Sequence, residues 1–101
     1  MLTLREVQVK SMIRDTLLRF RGELVEAHVY FFGSRVSGKA RERSDFDVGI
    51  DSDAPVEPRL FARIRTALDE LPTLYRIDLV DLTCVPAPVR AEMLGCVEAI
   101  L

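Results

Sequence analysis

The chain predicts an α+β fold: a small mixed β-sheet backed by helices, in the order α-β-β-α-β-α-β. Three patterns carry that reading. Val9, Ile13, Leu17, Phe20 and Leu24 recur at helical spacing. A fully apolar run, Val29-Tyr30-Phe31-Phe32, follows, and then Asp45 to Asp51 alternates acidic or glycine positions with Phe46, Val48 and Ile50. Beyond that, helical and strand periods alternate once more. At 101 residues, with 49% hydrophobic and 30% charged residues, the chain suits one domain over residues 1–101.

Each element has a local cause. Thr3 and Glu6 fit a capping box, which opens an amphipathic helix over 4–21. The run 27–32, ended by Gly33-Ser34, reads as a strand apolar on both faces and so central in its sheet. Its aromatics Tyr30, Phe31 and Phe32 read as core, and His28 as a strand-start residue without a partner. Residues 45–51 read as a half-buried strand, with the carboxylates on its open side. Leu60, Phe61, Ile64, Leu68 and Leu71 mark a second helix, entered through Pro55 and Pro58 and closed before Pro72. Residues 75–82 form a third strand and 86–94 a short helix with Gly95 as its C-cap. Residues 96–101 supply a fourth, edge strand.

Charge excludes several classes. Fourteen basic against 16 acidic residues argue against a general nucleic-acid binder, so no direct nucleic-acid partner is expected. The distribution is sharper than the sum: residues 35–43 carry net +3, and residues 44–53 carry net −4. No apolar run approaches the roughly 20 residues of a membrane span, and Arg5 and Glu6 speak against a secretory signal. Cys84 and Cys96 form no CxxC and stand beside a single histidine, so they read as apolar residues in a reducing cytoplasm.

Two motifs bear on chemistry. Residues 33–40, GSRVSGKA, approach a P-loop, but Ala40 replaces the Mg²⁺-ligating hydroxyl, and a strand rather than a helix follows. The P-loop reading fails. Asp45-Phe46-Asp47 is the stronger signal, since side chains two apart on a strand share a face, with Cα atoms about 6.5–7 Å apart. Two such carboxylates can grip a pair of divalent cations for phosphoryl chemistry. A bare Asp-x-Asp is otherwise a turn or a solvated strand edge.

In context, GSRVSGKARERSDFDVGI (33–50), the preceding helix and the later YRIDLVDL resemble the minimal nucleotidyltransferases, or MNT group, of the DNA polymerase β-like superfamily. The resemblance implies the polymerase β-like nucleotidyltransferase fold and a nucleotide site at Gly33 and Ser34; Arg35 and Arg43 are cations that this sequence itself offers the triphosphate. It implies two catalytic Mg²⁺ on Asp45, Asp47 and a third carboxylate. Asp78 and Asp81 compete for the third place. Parity favours Asp78, because Tyr75, Ile77 and Leu79 form the apolar set and Asp81 falls with them. Many members read Gly-Ser-x-Ala-Arg-Gly, whereas this chain has Val36 and Ser37 before Gly38, so that Arg is missing. Lys39 and Arg41 are further candidates to replace its charge.

The group's members are antitoxins that transfer AMP from ATP to a tyrosine of a HEPN ribonuclease toxin. The resemblance therefore implies ATP as substrate, a HEPN partner and a cytoplasmic location. Assembly as a homodimer or hetero-oligomer stays open. Two other readings compete: a non-catalytic antitoxin that acts by occlusion, and a small-molecule nucleotidyltransferase, for which 101 residues leave little substrate-binding domain.

Overall fold

The computed structural model describes residues 4–33 and 45–101. Helix α1 (Leu4–Leu18) is followed by β1 (His28–Phe32), β2 (Phe46–Asp51), α2 (Pro58–Asp69), β3 (Ile77–Asp81), α3 (Ala87–Met93) and β4 (Val97–Ala99). This is the predicted order. The sheet runs β3-β2-β1-β4, with β1 antiparallel to both neighbours and β2 parallel to β3. A parallel pair needs a crossover, and α2 provides it between β2 and β3.

Helix α1 stops at Leu18, three residues short of the predicted end at residue 21. The N–H groups of Arg19 and Phe20 turn back to the carbonyls of Thr16 and Leu17, and a 3₁₀ turn (Arg21–Glu23) follows. Phe20 and Leu24 are nevertheless buried, so the periodicity tracked burial beyond the helix itself. Of the capping box at its start, Thr3 lies outside the described residues. Helix α2 is capped by Glu57, whose carboxylate accepts from the N–H groups of Arg59 and Leu60, with Pro58 opening the first turn.

Both long helices pack on one face of the sheet. Val9, Ile13 and Leu17 of α1 and Leu60, Ile64 and Leu68 of α2 meet Phe31, Phe46, Val48, Ile50 and Ile77 in a single core. Ile13, Leu17, Phe31, Phe46, Val48 and Ile50 are fully buried, each contributing about 1.5–3 kcal/mol by the usual transfer scale. At the β4 edge, Lys10 bonds Glu98 at 2.9 Å and lies over the Phe31 ring.

Three local expectations need correction. Gly95 is not the C-cap: α3 closes on Leu94 in right-handed geometry, and the Gly95 N–H donates to the Glu92 carbonyl at 3.2 Å. The aromatic run is split by strand alternation, so only Phe31 enters the helix-side core. Phe32 is buried on the opposite face, and Tyr30 is half-buried there, stacked on His28. Cys84 and Cys96 are both exposed, free thiols rather than apolar filling. Among the described residues, no helix is long and apolar enough to cross a membrane.

Candidate functional site

The face away from the helices is built by strand alternation. Phe46, Val48 and Ile50 point into the core, which leaves Asp47, Gly49 and Asp51 on the open side of β2. The parallel register sets Asp47 directly against Asp78 of β3, one strand spacing of about 4.8 Å away. Asp45 immediately precedes β2, so three carboxylates gather at one end of the sheet. Burial pushes the Asp47 carboxyl above the usual carboxylate range, and the charges of Asp78 and then Asp45 push it further.

Gly33 closes this end from the other side. Its φ of 78° lies in the left-handed region, where a side chain is strained. A Cβ built there would overlap Oδ2 of Asp47 and stand 3.2 Å from its Cγ. The turn after β1 therefore lies flat on the Asp47 carboxylate, and glycine is needed on two counts. Beyond it the open face is apolar. A Cβ at Gly49 would come within 2.7 Å of Leu82 Cδ1 and 3.3 Å of Phe32 Cε1, so those side chains fill the middle of the face.

The other aspartates are employed differently. Asp81 has core-side parity, and its oxygens accept from the N–H groups of Thr83 (3.0 Å) and Val56 (2.8 Å), organising the loops at the far end of β3. Asp51 also shares the open face but pairs with Arg90 of α3. Among the described residues, Asp78 accepts a side-chain bond from Nε of Arg76 at 3.1 Å. Arg76 shares the strand parity of Asp78, and that two-residue spacing was the available signal for the contact.

Ser34, Arg35 and Arg43, with Ser37, Lys39 and Arg41, lie outside the described residues. For metal, the donor chemistry fits. Carboxylate oxygens are the ligands Mg²⁺ prefers, and the repulsion felt by Asp47 is what a divalent ion relieves. Among the described residues, though, no three acidic, histidine or cysteine side chains are already gathered into a metal-ligating cluster.

Comparison with known proteins bears on the fold. The family model described as "Polymerase beta, Nucleotidyltransferase" matches residues 20–101. A curated relative, the "Probable protein adenylyltransferase MntA" of Haemophilus influenzae, is 42% identical over 53 residues, 52% of this chain and 46% of that protein. The chain thus spans about half the length of that relative. Among solved structures, a toxin–antitoxin with AMP-PNP aligns with a TM-score of 0.58 at 18% identity, covering 87% of this chain and 72% of the other. A tri-AMPylated Shewanella oneidensis HEPN toxin in complex with MNT antitoxin aligns with a TM-score of 0.56 at 15% identity, over 91% and 71% of the two chains. At such identities the two structures establish a shared fold. With the family model spanning residues 20–101, the chain belongs to the polymerase β-like nucleotidyltransferase family.

Proposed function

We propose that this chain is an antitoxin that transfers AMP from ATP to a hydroxyl, a tyrosine, of a HEPN-domain toxin, acting as a single domain over residues 1–101 in the cytoplasm. The observation that carries the reading is the parallel register that sets Asp78 against Asp47, with Gly33 folded onto the same carboxylate. The names of its relatives support the substrate and partner: a protein adenylyltransferase, and toxin–antitoxin complexes, one with AMP-PNP and one with an AMPylated HEPN toxin.

Each residue has a task in this chemistry. Asp45, Asp47 and Asp78 would hold two Mg²⁺. When bound, these ions neutralise triphosphate charge and make the acceptor hydroxyl more acidic. Gly33 lets the backbone approach the phosphates, with the Ser34 hydroxyl as a further donor. Arg35 and Arg43 supply positive charge to the triphosphate. Asp78, on the outer strand of the pair, would take the acceptor's proton as general base while pyrophosphate leaves the α-phosphate. Phe32 and Leu82 make an apolar floor beside the acidic end, which strengthens electrostatic interactions there.

The test is transfer below stoichiometry. With ATP and Mg²⁺, a small amount of this protein should silence an excess of the HEPN partner and add one adenylyl mass per modified hydroxyl. An Asp45→Asn/Asp47→Asn variant should still bind the partner and fail to silence it. Equal neutralisation by that variant, or by wild type without ATP, would establish occlusion instead.

A further inference from the structure

Arg76 sits at the threshold of β3. Its carbonyl accepts the Phe46 N–H at 2.9 Å, which ties its backbone to the start of β2 beside Asp45. Its side chain shares a strand face with Asp78, and Nε donates to Oδ1 of that carboxylate at 3.1 Å. The side chain is 75% exposed and that of Asp78 36%, and an ion pair so open to water contributes little to stability. Its value to the fold is therefore small, and any larger role has to come from the chemistry of the site.

The geometry of the bond supplies it. Contact through Nε does not use the planar pair of terminal amines with which a guanidinium grips phosphate oxygens. Arg76 is also, among the described residues, the cation bonded to the acidic end formed by Asp45, Asp47 and Asp78. We propose that Arg76 is a positioning residue that holds Asp78 through Nε and takes a phosphate oxygen of the nucleotide with its terminal N–H groups. The role rests on the nucleotidyltransferase reading above and extends it to a residue outside the Gly-Ser and Asp-x-Asp motifs.

A bridge of this kind has opposite effects on the two ligands. Its charge repels divalent cations when no nucleotide is present, and it attracts the triphosphate. Arg76→Gln should therefore bind Mn²⁺ alone about two- to fivefold more tightly, read by electron paramagnetic resonance, the scale of one exposed charge. The same variant should bind a non-hydrolysable ATP analogue, at saturating Mg²⁺, roughly tenfold or more weakly by calorimetry, the scale of a lost charge-assisted bond. Arg76→Lys keeps the charge but not the bridge, so its Mn²⁺ affinity should stay at the wild-type value while nucleotide affinity recovers only in part.

Affinities that fall together, as a disordered site would give, overturn the role. So does a nucleotide affinity that Arg76→Gln leaves unchanged, whatever the metal does. If the wild-type chain itself fails to bind the analogue, the nucleotidyltransferase reading falls together with the role. Intact wild-type binding with an indifferent Arg76→Gln removes the role alone.

Discussion

Asp47 and Asp51 stand four residues apart on one strand and one face, yet they sit in opposite electrostatic worlds. Asp51 lies opposite His28 of β1, with its carboxylate paired to Arg90 of α3. Asp47 lies between the end of β1 and Asp78, with a second carboxylate nearby and the Gly33 turn pressed against it. The same residue type neutralised at one end and crowded at the other shows how a small sheet separates structure from chemistry. The far end of the open face is tied off by α3. The near end crowds like charges around Asp47, with Arg76 on Asp78 as the cation bonded there among the described residues, and a cluster of that kind is costly unless a cation uses it.

The strongest way to break this comparison is to neutralise each aspartate in turn. Asp47→Asn should lower AMP transfer by at least about 100-fold, since a neutral amide replaces an anionic ligand of the same shape. Asp51→Asn should leave transfer within about threefold and instead cost about 1–3 kcal/mol in denaturant unfolding, because Arg90 loses its charged partner. Comparable transfer losses from both would erase the distinction between the two ends.

Next in size is the contrast along β3. Asp78→Asn should cut the rate by about 10²-fold or more. Asp81→Asn should leave the rate near wild type and lower stability by about 0.5–2 kcal/mol, as lost caps do. A smaller effect comes from the turn. Gly33→Ala strains the left-handed backbone and displaces the Asp47 carboxylate, so transfer should fall about tenfold with a stability loss of about 1 kcal/mol. An alanine variant with full activity would show that the carboxylate can swing aside without consequence.

Much of this was legible beforehand, for identifiable reasons. Alternation is a property of strands, so Phe46, Val48 and Ile50 fixed the face of Asp47, and Ile77 and Leu79 fixed that of Asp78. What alternation does not encode is which strands become neighbours, or how far one slides along another. The direct opposition of Asp47 and Asp78 needed the parallel register. The apolar run of β1 was read as one core because both faces are apolar, and the structure divides it between two packing environments. The end of α1 was misplaced because a 3₁₀ turn can continue a burial pattern after the helix has stopped. Arg90 gave no signal at all: its partner is 39 residues away, across a connection whose path only the fold determines.

The finest separation of the two ends is by pH. The Asp47 carboxyl is raised by burial and by its acidic neighbours, so the folded chain holds that proton more tightly than the unfolded chain does. A folded state that binds the extra proton gains stability at low pH, and stability falls as pH rises from the ordinary aspartate value through the raised one. The crowded charge is then a standing cost at neutral pH. Asp47→Asn removes it, so the variant that loses transfer should melt higher than wild type at pH 7, on the order of 2 °C for a domain of this size. Below about pH 4 both proteins carry a neutral group there, and the difference should vanish. Added Mg²⁺ at pH 7 should raise the wild-type melting temperature and leave that of Asp47→Asn nearly unmoved. Melting curves at the two pH values, with and without the ion, decide it. A variant less stable than wild type at pH 7 would mean that the Asp47 carboxylate is compensated in the folded chain, and the contrast with Asp51 would collapse.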